Sequence, residues 1–537
     1  MSSPDKVSKP KKATRSRAGC SNCKKRKKKC DEIKPICTGC YKRNLVCQYG
    51  DDELELVDDQ NEDVKITTVP WRDLLNDDAI EQLLTPWQDP ELQPLLELRS
   101  LDFNFEFDLE IKNDNNEIEP LLMLDFPTEI TRKELIYLES FCKQVLPELS
   151  VLPQEINHYI RLFVPMAMKD RAVLYCLICW GYRIRKSHSA DYQARDEEYE
   201  KYLKLVNRLL EAKENDLGKF NFVSSVISYL LLVSMEVSFG DTKMWAPLFA
   251  SCFNLINKMP GGFLYLSKEC GLEGVILAEC FIYFDVLASQ SNENGTFYPL
   301  SEYTEVLKGD STLLHDPFQG CMRPLALQLA KTVTLLVEYN TLRITATTPD
   351  SSTSRFDKFS DSSMGNCDRY SVISEMLEKA NNLDNEISFC KPDMGVLKML
   401  RTREDLENHL TMFEAMQIAT QLYLRQVIKN LPPIVPEVEM LTVNLKQDMK
   451  FLVEKEIFKK NLAFPMLMLG LCVNTAQDRE EVKEFFESLV KMCGYLSSYQ
   501  RIWMVIQKVW ELNNNGQVYV DWFKITNQMG WKLNLAR

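Results

Sequence analysis

From about residue 130 onward, apolar residues recur at steps of three and four, the spacing that gives a helix one buried face. Glu198–Lys213 shows this most clearly, with Tyr199, Tyr202, Leu203, Val206, Leu209 and Leu210 on one side and Lys and Glu opposite. Similar periodicity predicts helices near 132–146, 166–185, 222–237, 243–258, 273–289, 322–340, 402–430, 479–492 and 498–512. Breakers stand between them: Gly240-Asp241, Pro260-Gly261-Gly262, Asn292 to Gly295, Pro432-Pro433 and Asn513 to Gly516. The pattern predicts one large all-α domain over 130–537. A stretch rich in Ser, Thr and Asp at 345–368 reads as a mobile insert within it. Asp241 is placed to cap the helix that follows it, and Trp245, Trp510 and Trp522 are expected as packing anchors. The run Phe220–Met235 is short and holds four serines, so it predicts a buried core helix, and no membrane partner is expected.

Upstream the pattern changes. Residues 51–126 contain 23 acidic and four basic residues, interleaved with bulky groups at Trp71 to Leu75, Ile80 to Leu84, Leu101 to Ile111 and Leu121 to Phe126. Acidic–hydrophobic alternation is the composition of an activation segment, in which charge repulsion keeps Leu and aromatic side chains available to a coactivator. The run LDFNFEFDLEI also alternates with period two, so an arm folded back on the following domain is a second reading. Between Gln48 and Thr68 the apolar residues Leu54, Leu56, Val57, Val64 and Ile66 do not repeat with period 3.5, so no dimerising coiled coil is predicted there. Oligomeric state stays open. The segment 48–129 is thus an acidic–hydrophobic linker.

Charge partitions along the same boundaries. The 537 residues sum to −13, a value that argues against a nucleic-acid partner. Residues 1–50, however, hold 15 Lys and Arg against three Asp and Glu, so a basic module is hidden in an acidic total. Lys9, Lys11, Lys12, Arg15 and Arg17 form a basic arm over residues 1–19, suited to a nucleic-acid backbone or to nuclear import. The N-terminus has no apolar segment of the secretory kind, which predicts reduced thiols.

Six of the 17 cysteines fall between positions 20 and 47. The spacing is Cys20-x2-Cys23-x6-Cys30-x6-Cys37-x2-Cys40-x6-Cys47, one C-x2-C-x6-C unit repeated with an offset of 17 residues. A structural zinc ion takes four tetrahedral ligands. Two separate sites would need eight thiolates, and no histidine lies nearby. Six suffice for two Zn²⁺ if two are shared, and the repeat makes Cys20 and Cys37 the natural bridges. A RING-type module fails on ligand count, and a metallothionein fails because only this segment is dense in cysteine.

These residues resemble the fungal binuclear zinc-cluster transcription factors. The ligand spacings fit together with Arg26-Lys27, with Asp31 directly after the third cysteine, and with Pro35 two before the fourth. The resemblance implies a helix that enters the DNA major groove and reads a CGG-type triplet. Lys27 is then the expected base reader with Arg26 beside it, because guanine presents adjacent O6 and N7 acceptors. Lys24, Lys25, Lys28, Lys29, Lys42 and Arg43 are expected on phosphates. The helical region also resembles a regulatory domain, through LPQEINHYIRLFVPMAMKDRAVLYCLICWG, LLLVSMEVSFGDTKMWAPLF, FIYFDVLASQ, LAFPMLMLGLCV and VWELNNNGQVYVDWFKITNQMGWKL. The subgroup includes regulators of GABA utilisation and lysine biosynthesis. That implies an effector pocket between helices, filled by an amino acid or related nitrogen metabolite.

Nothing points to catalysis. The four histidines, His158, His188, His315 and His409, lie in no HExxH or nucleophile–base motif, and no P-loop or Gly-rich dinucleotide turn is present. Cys176-x2-Cys179 sits in an apolar run and reads as core. The expected function is a nuclear regulator of RNA polymerase II genes acting as an activator. The alternatives are a repressor or a DNA-targeting subunit of a chromatin-remodelling assembly.

Overall fold

The computed structural model describes residues 126–152, 157–187, 195–291, 294–308, 318–347, 364–493 and 497–536. Every regular element among them is helical. In chain order the principal helices are α1 (Arg132–Ser140), α2 (Arg171–Ser187), α3 (Glu197–Glu214), α4 (Lys219–Ser238), α5 (Trp245–Asn257), α6 (Phe263–Glu269), α7 (Gly271–Ser289) and α8 (Leu300–Leu307). They continue with α9 (Arg323–Thr347), α10 (Met364–Ser388), α11 (Arg403–Leu424), α12 (Pro436–Leu452), α13 (Ala463–Cys472), α14 (Ala476–Cys493), α15 (Ser498–Leu512) and α16 (Trp522–Gln528).

Local chemistry sets the starts of these helices. Thr131 and Glu134 form a reciprocal capping box at α1. Asp196 caps α3 and Thr402 caps α11, each taking a backbone N–H of the first turn. Asp241 behaves as the sequence predicts: its Oδ1 accepts from Lys243 and Trp245 N–H at 2.9 and 3.2 Å. The helix expected over 166–185 is instead broken. A short turn ends at Ala167, and Asp170 Oδ1 accepts from Ala172 and Val173 N–H to start α2 afresh.

Helices α4, α7, α11 and α13 are buried on nearly all sides and form the centre. Amphipathic α3, α14 and α15 keep a charged face to solvent. Helix α4 packs against α2, α5 and α7, while α13 packs against α11, α12 and α15; α7 and α9 link the two groups into one continuous core. By length and composition α4 would span a membrane, but 83% of that window is buried inside the fold, as the sequence predicts. Gly181 lets α2 approach α1 closely, since a Cβ there would stand 1.8 Å from Tyr137 O. At roughly 1.5–3 kcal/mol per fully buried large side chain, this core dominates stability.

The polar stretch expected as an insert at 345–368 is narrower than predicted. Helix α9 runs on to Thr347 and α10 already begins at Met364, while 348–363 lies outside the described residues. Of the acidic segment 51–126 only Phe126 is described, and it packs against the helical core together with Ile130. At its last residue, therefore, the segment is part of the fold.

Candidate functional site

The predicted DNA-reading and zinc-holding residues lie outside the described residues: Cys20, Cys23, Cys30, Cys37, Cys40, Cys47, Lys24, Lys25, Arg26, Lys27, Lys28, Lys29, Lys42 and Arg43. Their donor set is chemically suited to zinc, since six thiolates with C-x2-C pairs are the soft ligands that a tetrahedral Zn²⁺ site uses.

Within the helical domain, the groups that ordinarily carry chemistry are committed to packing. Cys176 and Cys179 are buried in α2, and desolvation holds both thiols far above their usual pKa. His158 lies 4.3 Å from the Tyr159 ring and 5.5 Å from that of Phe163, while burial pushes the imidazole of His409 downward in pKa. Among the described residues no three His, Cys, Asp or Glu side chains converge to hold a metal. The buried charges are paired: Arg183 meets Glu236 at 2.9 Å between the rings of Tyr199 and Phe239, and Arg323 meets Glu279 at 3.0 Å.

One buried carboxyl has no cation. Asp285 on α7 accepts from Phe297 N–H at 2.8 Å and from Tyr303 OH. Desolvation outweighs these hydrogen bonds and raises its pKa to about 7. It thereby fastens the 296–303 segment against the aromatic cluster of Phe249, Phe263, Phe281 and Tyr298.

The C-terminal segment is the main tie across the domain. Trp245 Nε1 donates to Lys532 O at 2.7 Å, and Lys532 N–H donates to Thr242 O at 2.9 Å. Further on, Ser291 Oγ donates to Leu533 O and Tyr283 OH to Ala536 O, the latter at 2.6 Å. Leu533, Asn534, Leu535 and Ala536 are buried. The sequence marks Trp245 as an anchor, and the structure shows that its indole holds the tail. Trp510 donates to Gly470 O at 2.8 Å, and Trp522 is fully buried.

Two hollows occur nearby. A solvent-open one of about 570 Å³ is lined by Asn430, Tyr519, Asp521, Lys524 and Gln528, with Asp521 and Lys524 already paired at 3.2 Å. An enclosed cavity of about 30 Å³ lies between α7, α9 and α11, walled by Tyr283, Leu287, Met322, Met412, Met416 and Leu535. The sequence reading singled out none of these cavity residues. Their only signal was that an apolar face of α7 continues to a polar residue, Gln290.

The signature described as fungal specific transcription factor domain matches residues 136–536, and that described as fungal Zn(2)-Cys(6) binuclear cluster domain matches residues 18–54. The chain therefore belongs to the fungal zinc-cluster transcription factors, which are DNA-binding regulators and not enzymes. It is 31% identical over 547 residues to an uncharacterized transcriptional regulatory protein of Schizosaccharomyces pombe, covering 97% of each chain. It is 22% identical over 571 residues to the transcriptional activator protein UGA3 of Saccharomyces cerevisiae, covering 97% of this chain and 98% of that one. Over 66 residues, 11% of this chain and 9% of the other, it is 44% identical to sterol uptake control protein 2 of Candida albicans. No solved structure matches it significantly.

Proposed function

We propose that the chain is a nuclear, sequence-specific activator of RNA polymerase II genes, reading CGG-type triplets and answering to a nitrogen metabolite. The observation that carries this is the presence of both signatures on one chain, at 18–54 and 136–536, together with end-to-end similarity to a transcriptional activator. In this reading Cys20, Cys23, Cys30, Cys37, Cys40 and Cys47 hold two Zn²⁺, with Cys20 and Cys37 shared. The metal supplies structure only, since every ligand position is filled by protein. Lys27 and Arg26 address guanine edges, and Lys24, Lys25, Lys28, Lys29, Lys42 and Arg43 address phosphates. The acidic segment meets a coactivator, and the helical domain holds the effector site.

Genome-wide occupancy mapping with and without candidate nitrogen sources, paired with transcript levels, tests the whole reading. Occupied CGG-containing promoters whose transcripts rise with one nitrogen source support it. Occupancy of CGG-free sites, or transcripts that rise on deletion of the protein, would contradict it.

A further inference from the structure

The wall that α7 gives to the enclosed cavity follows one helix face through Tyr283, Val286 and Leu287, and the next residue in that series is Gln290. Gln290 is fully buried, and neither its Oε1 nor its Nε2 has a hydrogen-bond partner. A buried amide unpaired at both ends is costly, and native proteins seldom keep one without a water or ligand to complete it. At the rim, Gln319 holds a left-handed backbone with φ 57°, a conformation that residues with a Cβ rarely adopt. Met322, Met412 and Met416 supply soft walls that repack around different shapes. The lining contains no charged side chain. One turn before Tyr283 stands Glu279, whose carboxylate is already matched by Arg323 Nε and Nη2 at 3.1 and 3.0 Å.

We propose that this cavity is the collapsed form of the effector site, with Leu535 standing where the ligand goes. Its ligand is an uncharged small molecule whose amide, lactam or protonated carboxylic acid group pairs with the amide of Gln290. This rests on the metabolite-responsive reading above and narrows it, because a zwitterionic ligand would bring charges that no lining residue matches. About 30 Å³ holds at most one water, whereas small-molecule sites run from roughly 300 Å³ upward. Opening therefore requires a side chain to leave. Leu535 is the one lining residue on the C-terminal tail, which has only backbone and hydroxyl hydrogen bonds to α7. The same tail is bonded to Thr242 and Trp245, so its displacement is felt at α5.

The test uses the full chain and two probes of related skeleton: ε-caprolactam, a neutral lactam, and 6-aminohexanoate, its ring-opened zwitterion. Calorimetric titration and thermal shift are measured for the wild type, Leu535→Ala and Gln290→Leu. The lactam is expected to bind the wild type and to bind Leu535→Ala about tenfold tighter, because the plug is gone. It is expected to bind Gln290→Leu at least about tenfold more weakly, in a variant whose unliganded melting temperature is not lowered. Equal binding by wild type and Gln290→Leu, no binding by Leu535→Ala, or preference for the zwitterion overturns the site. A reporter that answers to a nitrogen source while the lactam shows no Gln290-dependent binding sinks this site alone. A reporter that answers to none sinks the metabolite reading itself.

Discussion

Arg425 clasps Asp384 with two parallel hydrogen bonds, Nη1 to Oδ1 and Nη2 to Oδ2, each 2.8 Å long. The pair joins α10 to the end of α11, where the chain changes to a wider π-type turn over Arg425–Lys429. Both side chains are largely buried, so removing one leaves the other charged and desolvated. Asp384→Ala is expected to lower stability by roughly 3 kcal/mol or more. Arg425→Met combined with Asp384→Leu should cost less than either single change, as thermal denaturation of all three variants would reveal.

Asp285 gives the domain a stability term that depends on pH. Its folded-state pKa lies near 7, above the ordinary 3.8, so the folded protein retains a proton that the unfolded chain gives up. Stability from this group is therefore full below about pH 4, falls as pH rises, and levels off above about pH 7. Asp285→Asn can still accept from Phe297 N–H and Tyr303 OH without paying for a buried charge. Its melting temperature relative to wild type should climb from pH 4 to pH 8 by on the order of 5 °C. A difference that stays flat across that range would show that Asp285 is not the titrating group.

Helices α13 and α15 meet at Gly470, where a Cβ would stand 2.2 Å from Ile506 Cδ1. Gly470→Ala is expected to cost about 1–3 kcal/mol through overpacking. Adding Ile506→Val, which deletes the Cδ1 atom, should restore part of the loss. A double-mutant cycle in urea measures it, and strictly additive losses would refute the contact as the cause.

The acidic segment makes a separate claim. Residues 51–125 fused to a foreign DNA-binding domain should switch on a reporter, and changing Phe103, Phe105 and Phe107 to Ala should silence it. A silent wild-type fusion would favour the folded-arm reading, in which this stretch packs on the helical domain as Phe126 does.

Amphipathic helices were legible because a one-sided apolar stripe leaves its period in the sequence. The stripe at 198–213 became α3 (Glu197–Glu214), and that at 243–258 became α5 (Trp245–Asn257). Helix α13 left no such period, because Ala463–Cys472 is buried on every side and selects apolar residues throughout. Helix α10 was partly taken as insert because Met364–Ser388 is polar over much of its length. The tail over Lys532–Ala536 could not be read at all, since it is held by backbone groups that every sequence has. The zinc ligands were the opposite case, since six residues of one reactive type at fixed intervals carry their chemistry openly. The cavity's polar contact was nearly hidden, because one glutamine in an apolar face looks like many others.

The central claim is that the cysteine module binds zinc and that the zinc-bound form reads DNA. The direct measurement is binding of the full chain to a CGG-containing duplex across a salt series, with zinc quantified on the same samples. About two zinc ions per chain are expected, with tight binding that weakens as salt rises. Cys20→Ala should lose both metal and binding. Lys27→Ala should keep the metal but lose discrimination of the triplet by roughly 1–3 kcal/mol. A Cys20→Ala protein that still bound the duplex with wild-type affinity and specificity would contradict the account.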